Sequence, residues 1–359
     1  MNIHLCFVHS FGFFQNWQGL GGGIRSEIIF MKIQLVHSYE DLVNIDNLLS
    51  AWEEFLKGKR HKKDVQQFQF NLMANILSLN HELSSKRYRH GKYEEFSISD
   101  TKPRTIHKAS VRDRLLHHAV YRILYPFFDK MFIADSFSCR IDKGTHKAIE
   151  RFREYGYIVS KNNTKTCWVL KCDVKKFFAS IDQKVLLNIL DNRIPDKNIV
   201  GLLKEIIDSF NSERKGIGLP LGNLTSQLFS NIYMNEFDQF VKHSLKVKHY
   251  IRYADDFVIL SQNKKYLEKL VLLLQNFLDD KLKLTIHSNK IFIKTLSSGV
   301  DFLGWVHFLH HRVLRTKTKQ RMFKRLKETQ ASETINSYLG ILKHGNTYKI
   351  KTRIFIAEK

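Results

Sequence analysis

Three aspartates carry the chemistry this chain offers most plainly. Tyr253, Ala254, Asp255 and Asp256 set two adjacent carboxylates inside HYIRYADDFVILS (249–261), a stretch otherwise rich in apolar and β-forming residues. Asp173 has the same character, following the apolar run WVLKC and preceding Val174 to Phe178. An uncompensated carboxylate is costly to bury, so the three together call for cations. Hard divalent ions prefer oxygen ligands, and two of them about 4 Å apart can activate an attacking hydroxyl while stabilising a leaving oxygen. By itself an adjacent aspartate pair marks only a turn, and the elements around it must decide.

Those elements can be read from periodicity. WVLKCDVKKFFASID (168–182) begins as a buried strand and turns into a helix over Val185–Leu190. A long helix is expected from Thr225 to His243, and 249–261 reads as a hairpin with the acidic pair at its turn. Upstream, Leu42, Ile45, Leu48, Leu49, Trp52 and Phe55, then Phe68, Phe70, Met73, Ile76 and Leu79, recur at helical spacing on either side of the basic turn GKRHKKD. They predict two helices, followed by a short strand over 93–99 and a helix over Arg112–Phe128. This order is α+β and not the strict alternation of a dinucleotide-binding fold. Residues 311–359 hold 13 Lys and Arg against 3 acids, yet the spacing of Met322, Leu326, Ile335, Tyr338, Leu339 and Leu342 predicts packed helices.

In the order they occur, KCDVKKFFASID, GLPLGNLTSQLFSNIYMNEFD and YIRYADDFVIL resemble motifs A, B and C of the reverse transcriptases. FSISDTKPRTIHKASVRDRLLHHAV and DSFSCRIDKGTHKA resemble the fingers of bacterial group II intron-like enzymes. LTIHSNKIFI resembles motif D, and VDFLGW the segment leading into the thumb. The likeness runs over roughly residues 45–350. It implies a right-hand polymerase with an antiparallel palm sheet flanked by helices: fingers over 31–165, palm over 166–305 and a helical, basic thumb over 306–359. No appended RNase H, endonuclease or integrase is expected.

Carried over residue by residue, the resemblance makes Asp173, Asp255 and Asp256 the catalytic carboxylates, with Val174 beside them in the metal site. The metals would be two magnesium ions, with manganese able to substitute. Phe178, five residues after Asp173, falls at the family's steric gate, where a ring excludes a ribose 2′-hydroxyl; Phe177 is read as core packing. Lys102, Arg104 and Arg112 fall where the fingers grip the incoming triphosphate, a task suited to cationic donors. Lys290 resembles the lysine that assists the leaving pyrophosphate. Leu221, Gly222 and Gln227 belong to the motif B floor under the nascent pair. There the commonest pattern has Gln before the glycine and Pro after the serine; this chain has Leu221 and Gln227. An apolar residue followed by SQ resembles the error-prone enzymes of diversity-generating retroelements, as does YLGILKHGNTYK (338–349). Expected partners are an RNA template, a DNA or RNA primer, dNTPs and a small helical accessory protein. Defence-associated and other group II-like enzymes, an RNA-dependent RNA polymerase, and a non-catalytic RNA-binding protein are the alternatives left open.

Composition agrees with a nucleic-acid partner. The formal charge is +23, from 58 Lys plus Arg against 35 Asp plus Glu, spread along the chain; such an excess favours a polyanion through counterion release. The four cysteines show no CxxC or zinc spacing and are read as reduced core thiols, and the histidines as surface or phosphate-facing groups without zinc. No apolar run reaches the roughly 18 residues of a membrane span, so a cytoplasmic protein is expected. Residues 1–30, with GLGGG at 19–23, are a poor signal peptide, and GLGGG lacks the GK[ST] of a phosphate cradle. Translation is expected to begin at Met31.

Overall fold

A computed structural model describes residues 34–99, 103–329 and 331–356. The expectations about residues 1–30, Met31, Cys6 and Lys102 therefore lie outside the described residues. The N-terminal layer is helical: α1 (Tyr39–Val43), α2 (Ile45–Leu56), α3 (Lys63–Phe70) and α4 (Leu72–Ser84) pack against the long α5 (Val111–Asp129). The two helices predicted here are thus four. Asn44 explains the first break, since it takes an extended backbone (ψ 141°) and its side chain caps the Asp46 N–H. Between α4 and α5, β1 (Glu94–Ser99) and β2 (Pro103–Lys108) form an antiparallel ribbon in register Glu94 to Lys108.

The central sheet has the order β4–β5–β3–β6, all antiparallel, from Tyr250–Tyr253, Asp256–Ser261, Trp168–Asp173 and Phe292–Thr295. Its strands read as nearly continuous apolar runs because both faces are covered. Leu170, Cys172, Phe257 and Ile259 face the core shared with α8 (Gln183–Asp191), α10 (Leu224–Gln239) and α11 (Lys264–Leu282). Val169, Ile251, Val258 and Leu260 face Phe152 and Tyr155 of α6 (Thr145–Val159). Short α7 (Phe177–Ser180) and α9 (Lys197–Asp208) complete this middle region. A third sheet, β7 (Val300–Phe302), β8 (Trp305–His307) and β9 (Arg312–Leu314), leads into α12 (Thr316–Glu328), α13 (Ser332–Leu342) and α14 (Tyr348–Ile356). Trp305, Leu314, Met322, Leu342 and Ile354 close a small core there with Ile149 of α6. Among the described residues no helix is long and apolar enough to cross a membrane.

Two sequence readings need correction. Cys167 and Cys172 are buried thiols, pushed up to about 12 by desolvation, but Cys139 is exposed, on a left-handed turn at φ +53°. His117 is not a surface group: it is 1% exposed, its Nε2 lies 3.2 Å from His90 Nε2, and its Nδ1 has no partner. Burial, then the neighbouring His90, pushes it down to about 3. A depressed histidine stabilises the fold above its unfolded value near 6.5, and that contribution is lost as pH falls toward 3. His117→Gln should therefore flatten the loss of stability between pH 6 and pH 4 by about 1.4 kcal/mol per pH unit, one proton's worth. Urea midpoints across that range check this, and parallel curves for the two proteins would contradict it.

Candidate active site

Strands β3 and β5 bring the three aspartates to one end of the central sheet. Asp173, last in β3, lies opposite Asp256, first in β5. Asp255 shares the turn between β4 and β5 with Ala254, and its carbonyl accepts from the Val174 N–H at 3.2 Å. Ala254 sits at φ +54°, a left-handed conformation that costs a residue with a Cβ about 1 kcal/mol or more. The turn needs support from elsewhere.

Arg252 supplies it. Both Arg252 and Asp238 of α10 are fully buried, and the guanidinium meets that carboxylate at 2.7 to 2.9 Å through Nε and Nη2. Its remaining donors reach the Ala254 carbonyl at 3.0 Å, Ser136 Oγ at 3.0 Å and Asn231 Oδ1 at 3.3 Å. The Tyr250 hydroxyl donates to Asp238 at 2.7 Å. The sequence reading missed this group. Its trace in the sequence is Arg252 alone inside HYIRYA and two acids, Glu236 and Asp238, in YMNEFDQF, which suggests a buried arginine but not which acid meets it.

The carboxylates are only partly compensated. Lys290 Nζ lies 2.5 Å from Asp173 Oδ1. Lys171, two residues before Asp173 and so on the same strand face, places its Nζ 3.4 Å from Asp256 Oδ2 and donates to the Asp301 carbonyl at 3.0 Å. Lys171 also escaped the sequence reading. Desolvation, then Asp173, pushes Asp255 up to about 6; desolvation also raises Asp256, against the pull of Lys171. Asp256 Oδ1 is buried with no partner. Among the described residues no three acidic, histidine or cysteine side chains close into a ready metal cage. The donor set still fits hard divalent ions, because three carboxylates face two ammonium groups and one buried oxygen is left over.

The other expected residues distribute around this end. Val174 is buried at the strand exit. Phe177 is buried and Phe178, edge-on to it at 5.3 Å, is half-buried. The Phe178 carbonyl accepts from the Leu219 N–H at 2.8 Å, tying the 218–223 loop to the segment after Asp173. The same loop is tied to β2: His107 N–H donates to the Leu221 carbonyl, and Asn223 Nδ2 to the His107 carbonyl, both at 2.9 Å. Gly222 is required there, at φ +112° with the space of a Cβ filled by Ile106 at 2.8 Å. Gln227 is half-buried in the first turn of α10, and Arg104 is exposed on β2. Arg112 is engaged by Glu82 at 2.8 Å, Asp113 at 3.2 Å and the Arg89 carbonyl at 2.5 Å. Those contacts bind it into the helical layer.

Comparison with known proteins adds the family. A family profile described as reverse transcriptase (RNA-dependent DNA polymerase) matches residues 94–307. Protein YkfC of Escherichia coli K12 is 25% identical over 292 residues, covering 70% of this chain and 74% of that protein. The group II intron-encoded protein LtrA of Lactococcus lactis is 24% identical over 285 residues, 60% of this chain and 46% of LtrA. The chain thus spans about three quarters of YkfC and less than half of LtrA. An apo telomerase structure from Candida tropicalis aligns at TM-score 0.47 and 14% identity, over 68% of this chain and 60% of that one. With the matched profile covering more than half of its length, the chain belongs to the reverse transcriptase family, and its relatives include group II intron-encoded proteins.

Proposed function

We propose that this protein extends a DNA or RNA primer with dNTPs on an RNA template, with Asp173, Asp255 and Asp256 as its catalytic carboxylates. The observation that carries this reading is the convergence of the three at the facing ends of β3 and β5, with less positive charge than they need. The hand divides into fingers over 31–165, palm over 166–305 and thumb over 306–359. In the reaction the primer 3′-oxygen bonds to the α-phosphorus of the dNTP, the bond to the β-phosphate oxygen breaks, and pyrophosphate leaves. Magnesium held by the three aspartates and the Val174 carbonyl would supply the charge that stabilises attacking and leaving oxygens. Arg252 holds the acidic turn in place through the Ala254 carbonyl. Lys290, which pairs with Asp173, would donate to a developing pyrophosphate oxygen. Arg104 would meet the triphosphate from β2, and Lys102 would share that role. The direct test is incorporation of dTTP on a poly(rA) template with an oligo(dT) primer, which should require a divalent ion and vanish in chelator.

Phe178 serves as the sugar gate in this reading, because its ring is only half-buried whereas Phe177 is buried in the core. Phe178→Ala should lower the preference for deoxy over ribonucleotides by about tenfold or more, read by single-nucleotide incorporation of matched dNTP and NTP. An unmoved ratio would remove the assignment.

The finer reading is an error-prone enzyme of the diversity-generating kind, working with a small helical accessory protein in the cytoplasm. It rests on Leu221, whose side chain offers the nascent pair no hydrogen bond where the commoner Gln can. Each 1.4 kcal/mol lost from discrimination is about tenfold in error. Leu221→Gln should therefore make cDNA from a defined RNA about tenfold more accurate, above all opposite template adenine. Equal, low error rates at all four bases would leave a reverse transcriptase without the mutagenic role.

A further inference from the structure

The end of the central sheet away from the aspartates carries a second feature. Two cavities, of about 360 and 390 Å³, flank the C-terminal turn of α6, the first bordered by Tyr157 and the second by Ile158 and Val159. Neither has an acidic residue in its lining, whereas two other surface cavities include Asp64 and Glu94, or Asp191 and Asp208. The first is lined by Arg153, His310 and His311 with Tyr157 and Phe308; the second by Lys246 and Lys248 with Tyr266. Asn163 Nδ2 lies 3.4 Å from His310 Nδ1, which sets the loop bearing exposed Lys161 and Lys165 beside the first cavity. Arg153 has one carboxylate nearby, Glu150 at 3.7 Å, yet its side chain stays 76% exposed. Tyr157 is 52% and Tyr266 38% exposed, which leaves part of each ring free to stack.

Distance separates this surface from the catalytic cluster. Ser261 and Gln262, in the second cavity, begin five residues along β5 from Asp256, about 17 Å at strand spacing. Leu296, in the first cavity, pairs with the Cys167 carbonyl, six residues or about 20 Å from Asp173. Exposed cations for phosphates and exposed rings for bases are the pairing that single strands use, and base stacking tolerates any sequence.

We infer that the two cavities around the C-terminal turn of α6 form a second binding track for single-stranded RNA, outside the polymerase cleft and independent of catalysis. The track takes the backbone on Lys246, Lys248, Arg153 and the 161–165 loop, and stacks bases on Tyr157 and Tyr266. It would hold the part of an RNA that is not being copied. Because it needs no catalytic residue, its failure would leave the polymerase reading untouched.

The test measures binding of a labelled, unprimed 20-nucleotide RNA to the full chain, across a salt series, beside inorganic polyphosphate as a polyanion without bases. Lys246→Glu with Lys248→Glu should weaken both ligands about tenfold and reduce the salt slope for RNA by about 0.7 for each phosphate no longer neutralised. Tyr157→Ala with Tyr266→Ala should weaken RNA about fivefold or more and leave polyphosphate unchanged. Extension of a preformed primer–template at saturation should stay at the wild-type rate in both variants, which also reports an intact fold. Unchanged RNA affinity in the tyrosine variant, or equal losses on polyphosphate, would overturn the assignment to nucleic acid. Loss of extension in step with binding would place these residues in the cleft and overturn the second track.

Discussion

Replacing Asp255 and Asp256 together by Ala should reduce magnesium-dependent primer extension by about a thousandfold or more, while affinity for an RNA primer–template stays within a few fold. The two outcomes separate because they draw on different physics. Phosphate contacts from a chain of net charge +23 dominate binding, and removing two of its 35 acidic residues can only strengthen that attraction. In the proposed mechanism catalysis would depend on carboxylates at the end of β3 and β5, where desolvation already lifts Asp255 to about 6 and Asp256 above its usual range. A loss of about 4 kcal/mol in transition-state stabilisation corresponds to the thousandfold fall. Gel-shift and single-turnover extension on one substrate measure both. Extension near the wild-type rate would refute the carboxylate assignment, and a parallel collapse of binding would point to a misfolded variant.

Arg252→Ala is expected to have the largest effect on stability, about 3 to 5 kcal/mol, because it leaves the Asp238 carboxylate fully buried and unpaired. The double variant Arg252→Met with Asp238→Leu should regain most of that stability, since apolar residues of similar volume commonly replace a buried pair without penalty. Activity should not return with it. The Ala254 carbonyl would still lack its donor, and the left-handed turn carrying Asp255 would lose its support. Thermal melts and kcat on the same protein samples distinguish these outcomes. A double variant that recovers both stability and kcat would show that the pair is only structural.

How much of this was legible beforehand depended on the kind of signal. Asp173, Asp255 and Asp256 stood out because carboxylates in apolar, β-prone runs contradict their surroundings, and the register of β3 with β5 places Asp173 opposite Asp256. Periodicity marked α5, α8, α10 and the acidic hairpin because each has an apolar face or run. It failed where local chemistry interrupts a face, as at Asn44, which divides one expected helix in two. Partnership was the blind spot. Nothing in the spacing of Asp238 and Arg252, or of Lys171 and Asp256, indicates that they meet, since tertiary packing brings them together. Arg112 is a further case: its position in a motif gives no sign that Glu82 engages it. His117 shows the same for burial, because a histidine pair on a helix gives no sign of which one faces inward.

Copying of RNA into DNA at the three aspartates is tested without intermediaries by supplying a 5′-labelled DNA primer annealed to a heteropolymeric RNA with one dNTP at a time. Each reaction contains magnesium and either the wild-type or the Asp255→Asn protein. The primer should grow by one nucleotide mainly with the dNTP matching the template base, only with magnesium present, and not in the variant. Growth that ignores the template, persists in Asp255→Asn or uses ribonucleotides equally well would contradict templated DNA synthesis at this site.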